Sequence, residues 1–262
     1  MWGNNKTTRW TVLLIVAIIM MMGYVFWDIV SPLTTNLKSP LDKGGMNWTT
    51  AEYGFYAGSY SIFNIFLFML FFGGIILDKM GIRFTGILAT GMMFCGALIN
   101  FIAIKYISAL NYTDLQLTLF GLIPQHIKLQ VLVAALGFGV FGVGCDITGI
   151  TVSKVITKWF TGHELASAMG IQVALARLGT ASAISFSPII ALNFGGIQAS
   201  LLVGTIILLL GFFLFIIYNV KFDGIIKERN INTEEDYFMP RTLEELISYY
   251  KNDNYDCRKI EE

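Results

Sequence analysis

Leu13-Leu14-Ile15-Val16-Ala17-Ile18-Ile19-Met20-Met21-Met22 runs for ten residues without a polar side chain. A barrel strand alternates between lumen and lipid, so an unbroken apolar run reads instead as a helix surrounded by an apolar medium. Followed outward, the stretch covers 10–30, close to the ~20 residues that cross a bilayer's hydrocarbon core. Comparable runs follow at 56–77, 84–107, 131–156, 165–194 and 197–220. The expected fold class is therefore an all-α membrane protein with six transmembrane helices. The first run follows Lys6 and Arg9 as a signal peptide would, but it is too long for an h-region and lacks an A-x-A-like cleavage site. It is expected to stay in the mature protein.

Composition agrees. Of 262 residues, 55% are hydrophobic and 14% charged, beyond the apolar share of a soluble domain. Lys plus Arg and Asp plus Glu both number 18, so no basic excess exists to hold nucleic acid. Cys95, Cys145 and Cys257 are too dispersed for a disulfide framework, and with only His126 and His163 they lack zinc-ligand spacing. No metal and no cofactor are expected. No span pairs a nucleophile with a base, so an enzyme is not expected either.

Lys and Arg near the membrane ends set orientation. With the N-terminus inside, inner segments hold nine (Lys6, Arg9, Lys79, Arg83, Lys154, Lys158, Lys221, Lys227, Arg229), and outer loops hold four (Lys38, Lys43, Lys105, Lys128). Both termini are expected in the cytoplasm and loops 31–51 and 108–130 outside. Trp10, Trp27, Trp48 and Trp159 fall near these interfaces and read as aromatic anchors. Asn47-Trp48-Thr49 and Asn111-Tyr112-Thr113 are glycan acceptor patterns on the outer side, silent in a bacterium.

The short inner loop between the second and third runs reads Gly73-Gly74-Ile75-Ile76-Leu77-Asp78-Lys79-Met80-Gly81-Ile82-Arg83. Gly81 permits a tight turn between antiparallel helices, and Asp78 is placed to meet a cation or a helix N-terminus. This resembles the signature of the major facilitator superfamily: a Gly, three residues, Asp, a base, one residue, Gly, then one or more bases. Gly74, Asp78, Lys79, Gly81 and Arg83 fit it, and Ile82 departs where many members carry a base. The resemblance implies a cytoplasmic latch at Asp78 that governs inward and outward states. The plainer alternative is an Asp-Lys turn that only fixes topology.

A second likeness lies at Lys158-Trp159-Phe160-Thr161-Gly162-His163-Glu164-Leu165-Ala166-Ser167-Ala168-Met169-Gly170-Ile171, continuing to Ala176-Arg177-Leu178-Gly179. It looks like the connection between helices four and five of bacterial facilitators. Gly162, Ala166, Gly170 and Ala174 recur every fourth residue, a small-residue stripe expected to admit a close neighbour to helix five. His163-Glu164 begins no zinc-protease motif, since the second His position is Ser167. Gly137, Gly139, Gly142, Gly144 and Gly149 make helix four too glycine-rich to be mere filler, each costing about 0.5–1 kcal/mol against Ala. Tight packing and a flexing gate are the two readings.

Ionisable side chains near a bilayer's centre usually face an interior pathway. Asp146 precedes Lys158 by twelve residues, about 18 Å, and Arg177 follows His163 by fourteen, about 21 Å. Both fall near the midplane of antiparallel helices. Arg177 can offer its fork to a substrate carboxylate while Asp146 holds an ammonium group or a proton; a purely structural Asp-Arg pair is the alternative. Gln172, Asn64 and Tyr60 are further cavity candidates, whereas Asp28 reads as interfacial. In the facilitator family, helices one, two, four and five of this half line the central cavity, and a dipeptide-transporting branch carries an acid on helix four and an Arg on helix five. That likeness implies a carboxylate-bearing or zwitterionic solute.

Residues 1–220 thus read as a six-helix transmembrane domain, and 221–262 as a soluble cytoplasmic tail with eleven acids against seven bases. Thr242-Leu243-Glu244-Glu245 within the tail is a capping box opening a short amphipathic helix. The resemblance implies an N-terminal half bundle of two inverted three-helix repeats, where members typically have two such halves with the substrate site between them. The chain is then a truncated or split half, partnered by a missing six-helix half or by a second copy of itself. The function expected is secondary active transport of a small organic solute by alternating access, in a bacterial cytoplasmic membrane. The alternative is a transport-incompetent assembly or interaction module acting through its tail.

Overall fold

The computed structural model describes residues 6–66, 68–107, 112–114, 126–160 and 163–236. Their helices are α1 (Lys6–Asp28), α2 (Thr34–Lys38), α3 (Thr50–Phe66), α4 (Met69–Tyr106), α5 (Leu129–Trp159), α6 (His163–Phe194) and α7 (Ile197–Asp236). Among the described residues, five helical stretches, Lys6–Lys38, Met69–Tyr106, Leu129–Trp159, Glu164–Phe194 and Ile197–Phe222, are long and apolar enough to cross a membrane. The molecule is helical and consistent with an integral membrane protein. Among the described residues, the departure from all-α is a hairpin of β1 (Tyr112–Asp114) and β2 (His126–Lys128), paired antiparallel with Thr113 opposite Ile127.

The second expected run, 56–77, is not one continuous helix. Phe68 adopts a left-handed φ of 49°, which a helix interior does not accommodate, and it parts α3 from α4. The expected inner loop shrinks to one residue inside α4, Gly81, with φ 78° and ψ 175°. That backbone region is essentially restricted to glycine. The two arms of α4 run oppositely along α5. Before Gly81 the register rises together, Gly73 facing Ile147 and Asp78 meeting Lys154. After Gly81 it falls, with Ala89 and Met93 against Gly144, and then Asn100 against Gly137. Gly81 therefore reverses the chain.

Buried apolar side chains gather at two ends. Val12, Leu77, Ile82, Val155, Trp159, Ala168 and Tyr218 cluster where α1 and α6 begin, α5 ends and α4 reverses. Phe26, Trp48, Tyr56, Phe101, Ile127 and Ile197 cluster at the opposite end. In an apolar solvent such contacts stabilise through close packing more than through water exclusion. The α5 glycines supply it. A Cβ on Gly144 would lie 2.6 Å from the Ala89 carbonyl oxygen, and one on Gly137 2.7 Å from the Asn100 amide nitrogen. Tight packing is thus the reading that α5 bears out.

The small-residue stripe of α6 behaves otherwise. Ala166, Gly170 and Ala174 are exposed, and a Cβ on Gly170 would meet nothing within 4 Å; Gly162 lies outside the described residues. The helix packs on α1 through its other face, where Ala168, Gln172, Ala176, Gly179 and Ser187 are buried. Three expected anchors also move inward. Trp48 and Trp159 are buried, and Trp27 is stacked within the bundle. Trp10 packs edge-on against Phe160. Past Val220, α7 continues to Asp236, and the expected capping box at Thr242 lies outside the described residues, as do Cys257 and Asn111.

Candidate functional site

Asp146 sits midway along α5, where α3 crosses it. Tyr60 Oη donates to Asp146 Oδ1 at 2.7 Å, and Asn64 Nδ2 donates to Oδ2. Tyr60 and Asn64 are one turn apart on α3, so one helix face delivers both donors. Each carboxylate oxygen is thereby met by an uncharged group. The Tyr60 ring stacks on Trp27 with centroids 4.0 Å apart, and Trp27 stacks in turn on Tyr24 at 5.4 Å. Tyr24 and Trp27 are also one turn apart, on α1.

Arg177 reaches the same group from α6. Its guanidinium carbon lies 5.7 Å from the centroid of Tyr24, and the residue is exposed. A cation resting on a ring face keeps its N–H donors, which lie in the guanidinium plane. Asp146 and Arg177 form no ion pair with each other. Asp146 on α5 and Arg177 on α6 are linked through an aromatic stack rather than a salt bridge. Gln172 stands apart: it is buried on the α6 face that packs against α1 and makes no hydrogen bond to Asp146, Tyr60 or Asn64. Asp28 closes α1 beyond the stack.

At the Gly81 reversal, Asp78 Oδ1 accepts from Lys154 Nζ at 2.6 Å, tying α4 to α5. Lys79 and Arg83 are exposed on either side of the turn. Gly74 faces open space, while a Cβ on Gly73 would lie 2.6 Å from Ile147. Close approach thus explains Gly73, and no contact explains Gly74. At the same end Arg9 pairs with Glu164 and lies over the Phe160 ring, tying α1 to α6.

The opposite end holds a third charged group that sequence reading missed. Glu52 and Lys128 are 2% and 1% exposed, and their side chains pair at 2.9 Å. Glu52 Oε2 also accepts the Thr49 amide while Thr49 Oγ1 accepts the Glu52 amide, a reciprocal cap on α3. Lys128 is the N-cap residue of α5, its amide reaches Glu52 Oε1, and its ammonium also donates to the Asn47 carbonyl. One carboxylate thus serves two helix N-termini. Burial alone would raise the Glu52 pKa, but the Thr49 amide and Lys128 outweigh it and hold the carboxyl below its ordinary value. The Thr-x-x-Glu pattern at Thr49 is the signal that could have found it. For Tyr24 and Trp27, the signal was two aromatics at helical spacing beside an acid.

No family model matches the chain, no curated protein matches it, and no solved structure matches it.

Proposed function

We propose that the chain is a secondary transporter of the major facilitator type, moving a small organic solute by alternating access. The observation that carries this reading is an acid midway along α5 and a base midway along α6 that are held apart. Asp146 is satisfied by Tyr60 and Asn64, and Arg177 keeps its fork free of any acid among the described residues. A structural pair would have neutralised itself. Separated charges with an aromatic wall between them suit a solute bearing a carboxylate for Arg177 and a cationic or hydrogen-bonding end for Asp146.

On this reading α3 from Tyr56 onward, with the first arm of α4, is the second membrane crossing, and the second arm is the third, giving six in all with both termini cytoplasmic. The six form two inverted three-helix repeats in the cytoplasmic membrane of a bacterium. The Asp78–Lys154 contact is the latch, broken and remade as the states exchange. The exposed small faces of α3 (Gly54, Gly58) and α6 (Ala166, Gly170, Ala174) are where a second six-helix half or a second copy would pack.

Proteoliposomes carrying the purified chain, alone and with any second half, should take up labelled dipeptides above protein-free vesicles. Asp146→Asn should lose most of that uptake while inserting normally. No uptake of any carboxylate-bearing solute under any imposed gradient would refute the proposal.

A further inference from the structure

Between α6 and α7 the bundle is open. The two helices touch sparsely, and α1 forms a floor beneath them. A hollow of about 490 Å³ opens between Lys105, Gln198 and Leu202, and a second of about 280 Å³ continues it past Met21 and Ile207. The two share Ile190 and Val203, so they form one groove. Measured along α7 from Gln198 to Ile207, nine residues, the groove is about 14 Å long. That is about half of the ~30 Å hydrocarbon core, the depth of a single leaflet.

The walls are apolar because their hydroxyls turn away. Ser187 Oγ donates to the Ile29 carbonyl at 2.5 Å and Ser182 Oγ to the Gly179 carbonyl at 2.7 Å. At the mouth stands Lys105, in the last turn of α4. Its ammonium lies 5.3 Å from the Phe101 ring centroid and 5.0 Å from that of Tyr106, and it pairs with no acid among the described residues. An apolar slot one leaflet deep that ends in an unpaired cation at the membrane surface fits one kind of occupant.

We propose that this groove binds an anionic phospholipid, with one acyl chain between α6 and α7 and the phosphate on Lys105. The site is separate from Asp146 and Arg177, neither of which lines it, and it does not depend on the transport reading. A lysine at the surface favours an anionic lipid by about fivefold.

The test is native mass spectrometry of the full chain from micelles doped equally with phosphatidylglycerol and phosphatidylcholine of the same acyl chains. One lipid should be retained, phosphatidylglycerol about fivefold over phosphatidylcholine. Lys105→Ala should erase the preference, Lys105→Arg should keep it, and Val203→Trp should lower retention of both lipids by filling the slot. Equal retention of the two lipids by the parent, or a preference that survives Lys105→Ala, would overturn the proposal. Retention unchanged in Val203→Trp would place the lipid elsewhere. A lipid-free dimer would give the groove to a second copy of the chain.

Discussion

Asp146 depends on two donors that carry no charge, and this fixes what each substitution removes. Tyr60→Phe leaves one carboxylate oxygen without its partner at 2.7 Å while keeping the ring stacked on Trp27. Losing a hydrogen bond to a charged group costs about 1.5–3 kcal/mol. Solute affinity should accordingly fall at least about tenfold, with expression and insertion intact, as read by uptake at limiting solute. Arg177→Lys keeps the charge and loses the fork, so uptake should fall nearly as far as in Arg177→Ala. Parental uptake in both variants would remove Arg177 from the site. Glu52 gives the pH test. Its folded pKa lies below the unfolded value of about 4.3, so its stabilisation is complete above that pH and is lost as pH falls through the folded pKa. Glu52→Gln removes the charged partner of a buried Lys128, a loss of about 3–5 kcal/mol. The thermal midpoint in detergent should drop clearly at pH 7, with the gap to the parent narrowing as the pH falls through the lowered Glu52 pKa. Asp146, Arg177, Tyr60 and Asn64 stood out in the sequence as polar groups within apolar runs, because such residues are rare and costly in a membrane span. Which of them touch was not, since that depends on a stack through Tyr24 and Trp27 that no spacing within one helix reveals.

Among the helices, glycine means different things in different places. Gly144→Ala would drive a Cβ to 2.6 Å from the Ala89 carbonyl and 2.7 Å from the Met93 amide nitrogen, both backbone atoms of α4 that cannot swing aside. It should destabilise by about 1–3 kcal/mol. Gly170→Ala meets open space and should be neutral or mildly stabilising, by about 0.5–1 kcal/mol from helix propensity alone. A denaturation series on both variants checks the contrast, and equal losses would contradict the packing described for α5. Gly81→Ala forces a side chain onto φ 78° and should cost about 1–3 kcal/mol. The sequence showed that α5 is rich in small residues for a reason, and the structure supplies the reason in α4 and α3. The same small-residue rule misled on α6, where the pattern marks a face with no neighbour among the described residues. Periodicity identifies a stripe but does not say which side of the helix has company. The break at Phe68 was equally hidden, because residues on both sides of it are apolar.

Over the whole molecule, paired charges gather at the two ends of the bundle. Arg9, Glu164, Asp78 and Lys154 meet at one end, whereas Glu52 and Lys128 staple the other. Lys128, counted among the outer-loop bases, is instead buried and paired with Glu52. Asp78→Asn removes the charged partner of Lys154 and should slow exchange between states more than it weakens solute binding; unchanged transport rates would assign Asp78 to topology alone. The central claim is that a carboxylate-bearing solute binds between Arg177 and the Asp146 group, against the stack that contains Trp27. Tryptophan fluorescence of the purified chain, titrated with dipeptides, measures it most directly. The parent should show a saturable change that vanishes in Trp27→Phe and weakens at least about tenfold in Arg177→Ala. A saturable change of the same affinity in Arg177→Ala, or one that persists in Trp27→Phe, would contradict the site.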